Sequence, residues 1–127
     1  VWSRDNRTSG FRVLGHGPST RIECRVGGAD VNPYLAFAAF LAGGLHGIES
    51  GLALEPEFRG DAYRSADVPS VPRTLHQALD RLERSEILRA AFGDEVIEHY
   101  LHAGRWEQTV YDKAVTDWEL VRYFERA

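Results

Sequence analysis

Arg21, Glu23 and Arg25 occupy alternate positions in Arg21-Ile22-Glu23-Cys24-Arg25, and Arg7 and Arg12 stand shortly before them. Arginine binds phosphate and carboxylate oxygens through two parallel N–H donors, so guanidiniums gathered around a single carboxylate carry more positive charge than an ion pair needs. The surplus suits an anionic ligand. Glu23 itself has two readings: a salt-bridge partner for its neighbours, or a ligand for a divalent cation that accompanies phosphate groups.

These side chains have to be positioned by an extended strand. In such a strand Arg21, Glu23 and Arg25 face one way while Ile22, Cys24 and Val26 face the other, leaving one charged and one apolar face. Phe11 to Val13 forms a second short apolar run containing Arg12, and Gly15-His16-Gly17-Pro18-Ser19 supplies the turn that folds one run back on the other. An antiparallel strand pair is therefore expected, with four guanidiniums and one carboxylate on a small surface.

After Gly27-Gly28-Ala29-Asp30, the pair Asn32-Pro33 has the form of an N-cap followed by proline at the first helical position. A helix over 33–48 is predicted. It is apolar on nearly every side, which predicts a helix buried within a larger body. Residues 49–72 hold Pro56, Pro69, Pro72, Gly51 and Gly60 without sustained periodicity and read as a long surface loop. Helices are predicted over 74–84, where Thr74 and Gln77 have capping-box spacing, over 85–92, and from Asp94 to about Lys113, with Gly104 as a point of bending or interruption. Thr116-Asp117-Trp118-Glu119 opens a last helix whose Trp118, Val121 and Phe124 are expected to point inward. The fold class is α+β: a short antiparallel strand pair, a buried helix and a helical layer.

At 127 residues and 43% hydrophobic, the chain suffices for one modest core. The net charge of −4 conceals a polarity: residues 1–25 carry five arginines against Asp5 and Glu23, or +3, which leaves −7 for the remainder. Cys24 stands alone, so no internal disulfide or cysteine zinc site is possible, and a reducing cytoplasm is the compatible compartment. The apolar stretch Tyr34 to Leu45 is shorter than the roughly 20 residues a membrane span takes. With acidic overall charge and no aromatic-basic interleaving beyond the arginines, neither nucleic acid nor membrane is an expected partner. The chain opens on Val1-Trp2-Ser3 and has no methionine, and reads as a piece of something longer.

Other features carry less. His99 and His102 share a helix face without a metalloprotease-type carboxylate motif. Gly15-His16-Gly17 lacks the third glycine of a dinucleotide loop and precedes a strand. Asn6-Arg7-Thr8 is a glycosylation sequon, which matters only in a secreted protein. From the residues alone, a noncatalytic module that docks an anionic or phosphorylated partner and mediates assembly competes with an enzyme.

Asp5-Asn6-Arg7, Arg12, Arg21-Ile22-Glu23-Cys24-Arg25, Asn32-Pro33-Tyr34-Leu35, Gly44-Leu45-His46-Gly47-Ile48-Glu49, Pro72-Arg73-Thr74-Leu75 and Val115-Thr116-Asp117-Trp118-Glu119 together resemble the carboxy-terminal part of the glutamine synthetase catalytic domain. The resemblance covers essentially the whole chain and implies an incomplete domain over 1–127. It implies a cytoplasmic, homo-oligomeric ATP-dependent ligase as the full-length protein, using Mg2+ or Mn2+. Such a ligase phosphorylates the side-chain carboxylate of glutamate, and ammonia or an amine then displaces phosphate. Glu23 resembles a metal-ligand glutamate, Arg25 the arginine on the glutamate carboxylate, Arg12 and Arg21 those on the ATP phosphates, and Arg7 the one that stabilises the phosphoryl group in transfer. The texture of residues 15–19 and 27–30 is similar to relatives that use polyamines or other amines. The isolated piece is expected to be inactive, with one metal carboxylate where two ions need several.

Overall fold

Alternation of apolar and charged residues around Arg12 and Glu23 produces a hairpin in the computed structural model, which describes residues 1–126. Phe11–Leu14 (β2) and Arg21–Cys24 (β3) pair antiparallel with Arg12 opposite Glu23 and Phe11 opposite Cys24. The turn between them contains a 3-10 segment at Gly17–Ser19. Gly15 adopts φ +80°, and a Cβ there would lie 2.2 Å from the Ser19 carbonyl oxygen, so this turn admits only glycine at that position.

The expected strand pair is a three-stranded sheet. Trp2–Arg4 (β1) joins β2 in parallel, with Ser3 beside Arg12. Parallel neighbours ordinarily need a long crossover. Here residues 5–10 make the return, with Asp5 in the left-handed region at φ 48° and its N–H on Val13 O at 3.1 Å. A three-residue strand flanked by a turn carries too little periodicity to announce itself.

Pro33–Glu49 (α1) forms as expected, with Asn32 Oδ1 accepting from the Tyr34 and Leu35 amides at 3.0 and 3.4 Å. Its burial does not follow: none of its residues is buried, and Tyr34 is 84% exposed. A helix apolar all round needs cover on every side, and the first of two structural units, Val1–Val71, offers it only one small sheet. The apolar sheet face and the carboxy-terminal end of α1 border an open cleft of about 870 Å³ that includes Phe11, Val13, Ile22, Gly44 and Gly47.

The segment after α1 is pinned along the amino-terminal strand. Trp2 Nε1 donates to Glu55 O at 2.7 Å, Phe58 N to Trp2 O at 3.0 Å, and Arg4 N to Glu57 Oε1 at 2.9 Å. A short 3-10 turn follows at Ala62–Arg64.

The second unit, from Pro72 onward, is helical: Leu75–Glu83 (α2), Glu86–Phe92 (α3), Asp94–Asp112 (α4) and Asp117–Tyr123 (α5). Leu79, Ile97 and Leu101 form its core, with Leu82, Leu88 and Phe92 packed against them. Gly104 does not interrupt α4, which runs unbroken through it. A Cβ there would stand 2.5 Å from Leu79 Cδ2, so the glycine lets α2 approach. Thr74 Oγ1 accepts from Gln77 N at 3.2 Å, but Gln77 Oε1 accepts from Arg73 N rather than from the cap residue. At the second box, Glu119 Oε2 accepts from Thr116 N at 2.8 Å. Trp118, Val121 and Phe124, expected inward, are exposed, Val121 at 89%. An amphipathic pattern identifies the face to be covered and not the cover. No described helix is long and apolar enough to cross a membrane.

Candidate active-site strand

Directly opposed positions of an antiparallel pair share a face, which puts Arg12 against Glu23. Glu23 Oε1 accepts from Arg25 Nη1 at 2.6 Å, and Glu23 Oε2 lies 3.5 Å from Arg12 Nη1. Arg12 also donates through Nη2 to Asp5 Oδ1. The Arg12 side chain is only 12% exposed, so a paired guanidinium forms the floor of the charged face, with Glu23 and Arg25 above it half-exposed. Arg25 Nε donates to Arg7 O at 3.1 Å, and Arg25 N extends the ladder to Gly10 O at 2.8 Å.

The carboxylate of Glu23 is held below its ordinary pKa, first by the hydrogen bond from Arg25 and then by the charges of Arg12, Arg25 and Arg7, with partial desolvation opposing them. It is an anion at neutral pH. Arg7 thus belongs to the electrostatic neighbourhood of Glu23, although its side chain is exposed. Arg21 stands apart: it is exposed at the turn end of β3, and its guanidinium reaches Ser19 O at 3.5 Å. Of the four expected arginines, two contact Glu23 and a third acts on it through charge. The residue that sequence reasoning missed is Asp5. As a lone acid in a turn, it has no spacing in the sequence that pairs it with Arg12.

A divalent ion needs several oxygen donors. Among the described residues no group of three His, Cys, Asp or Glu side chains could hold one, and both oxygens of Glu23 face guanidiniums. The described residues alone do not fit a metal site. His99 meets the edge of the Tyr100 ring, with centroids 5.3 Å apart.

A strand face with fixed, mostly paired arginines around a carboxylate ionised at neutral pH has the donors with which sheets bind small anions. The family follows from comparison: the profile "Glutamine synthetase, catalytic domain" matches residues 1–123, and the chain belongs to the glutamine synthetase family. It is 54% identical over 126 residues to the gamma-glutamylethanolamide synthetase GlnA4 of Streptomyces coelicolor, covering 99% of this chain and 27% of that protein. It is 40% identical over 131 residues to the glutamine synthetase of Methanocaldococcus jannaschii, covering 97% of this chain and 29% of that protein. It is 38% identical over 129 residues to the glutamate–isopropylamine ligase of a Pseudomonas species, covering 98% and 28%. The chain therefore spans about a quarter of the length of the curated relatives it matches.

Proposed function

We propose that residues 1–127 are the carboxy-terminal portion of the catalytic domain of an ATP-dependent ligase that joins an amine, or ammonia, to the side-chain carboxylate of glutamate. The observation that carries this reading is the Arg12–Glu23–Arg25 cluster on a hairpin in a chain matched to this catalytic domain. In the reaction, a glutamate carboxylate oxygen takes the γ-phosphoryl group of ATP, releasing ADP. The amine nitrogen then attacks the acyl carbon, phosphate leaves, and the nitrogen gives up a proton. The phosphoryl step asks mostly for positioning and for neutralisation of charge, which fixed guanidiniums supply.

Arg25 is the proposed clamp for the carboxylate of glutamate, since two of its N–H groups are already fixed by Arg7 O and Glu23. Arg7 is proposed to act on the phosphoryl group in transfer, and Arg21 and Arg12 on the nucleotide phosphates. Arg12 gives one Nη donor each to Glu23 and Asp5 and its Nε is buried without a partner, so a phosphate is left the second N–H of each Nη. Glu23 is proposed to contribute one carboxylate to a Mg2+ or Mn2+ site whose other donors lie outside these residues. The full-length protein is proposed to be a cytoplasmic homo-oligomer. A small primary amine is favoured as acceptor by the 54% identity to a protein named for ethanolamide synthesis, alongside the isopropylamine ligase.

The test is ADP release by the full-length protein with glutamate and, in turn, ethanolamine, isopropylamine and ammonia, and with hydroxylamine to trap an acyl phosphate as the hydroxamate. The expected result is glutamate-dependent ADP release, hydroxamate formation, and faster turnover with an alkylamine than with ammonia. ATP binding without glutamate-dependent turnover would overturn the ligase in favour of a noncatalytic docking module.

A further inference from the structure

The Asn6-Arg7-Thr8 triplet has the form of a glycosylation acceptor, yet its side chains are occupied internally. Asn6 Nδ2 donates to Gly60 O at 2.9 Å, and Asn6 Oδ1 accepts from Thr8 N at 3.0 Å and from Thr8 Oγ1 at 2.8 Å. Thr8 Oγ1 in turn accepts from Ala62 N at 2.9 Å. An Asx turn needs only the local bonds. The other two reach 54 residues along the chain and fix segment 60–62 against the turn.

Arg7 lies between the two bonded residues, and its carbonyl is the acceptor for Arg25 Nε at 3.1 Å. The direction of that carbonyl is set by the backbone torsions between Arg7 and Thr8, which the bonds of Asn6 and Thr8 hold. We propose that Thr8 and Asn6 are positioning residues for Arg25, coupling segment Gly60–Ala62 to the orientation of its guanidinium. In this role they set affinity for the glutamate carboxylate without touching it, a consequence that rests on the ligase reading above. Loosening at 60–62 reaches the clamp through the Arg7 carbonyl.

The experiment uses the full-length protein with Thr8→Val, which keeps the shape and loses the hydroxyl, and Thr8→Ser, which keeps the hydroxyl. Thr8→Val is expected to raise the half-saturating glutamate concentration about fivefold to tenfold, with that for ATP within about twofold. Thr8→Ser is expected to stay within about twofold of wild type for both. Asn6→Ala removes the donor to Gly60 O and the acceptor for Thr8 without adding charge, and carries the same expectation as Thr8→Val where that variant fails to fold. Equal increases for glutamate and ATP, or an unchanged glutamate requirement, overturn the proposal. A second readout does not depend on activity: the melting-temperature shifts of Thr8→Val and Arg25→Lys are expected to be non-additive, as for residues in one network. Additive shifts overturn the coupling whether or not the protein proves to be a ligase, whereas absence of glutamate-dependent ATP turnover in wild type overturns only the ligase reading.

Discussion

At Glu23 one carboxylate serves two arginines of different standing, Arg12 nearly buried and Arg25 half-exposed. Its lowered pKa has a consequence for stability. A carboxylate whose folded pKa is depressed contributes stability above its unfolded value and loses it as pH falls through the folded one. The contribution of Glu23 is therefore expected to fade as pH drops below its ordinary value of 4.5. Melting temperatures of the chain across that acid range should fall less steeply in Glu23→Gln than in wild type; parallel curves would remove the pairing from the account. In the full-length protein the same substitution is expected to weaken manganese binding by an order of magnitude or more, because it removes an anion while keeping its shape. Unchanged manganese affinity would leave Glu23 as a salt-bridge partner alone. The alternation of charges made Arg12, Glu23 and Arg25 legible in the sequence. Asp5 was not, since a lone acid in a turn has no period to betray its partner.

Among the elements, those with strong local signals were read closely: the hairpin, the Asn32-capped α1 and the boundaries of α2 to α4. What escaped was set by long-range backbone bonds. Residues 55–62 are pinned to β1 and the turn after it largely through main-chain groups, which any residue type can supply. Gly104 was read for its weak helix propensity, whereas α4 runs unbroken through it and the glycine is clearance for Leu79. Gly104→Ala sets about 1 kcal/mol of helix propensity against an overpacking cost of about 1–3 kcal/mol. The expected outcome in urea unfolding followed by helical circular dichroism is net destabilisation. In a Leu79→Ala background the clash is gone, and Gly104→Ala is expected to stabilise by up to about 1 kcal/mol. Destabilisation of equal size in both backgrounds would mean that Leu79 is not the obstacle.

For the molecule as a whole, Tyr34, Phe37, Leu41, Ile48, Trp118, Val121 and Phe124 are all exposed. Apolar surface on this scale marks faces that associate with something. The isolated chain is expected to bind a hydrophobic dye and to self-associate in sedimentation; a monodisperse monomer that ignores the dye would contradict the view that these faces are covered in a larger body. The glutamine synthetase family was legible because its motifs are spread over the whole chain, while the acceptor amine was not, since no residue given a role here is assigned to reading it. The most direct test of the ligase site is steady-state ADP release by the full-length protein and its Arg25→Lys variant, with glutamate and ATP varied separately. Loss of the bidentate clamp predicts a rise of about tenfold or more in half-saturating glutamate, with that for ATP within about twofold. Equal losses for glutamate and ATP, or no glutamate-dependent release by the wild-type protein, would contradict the account.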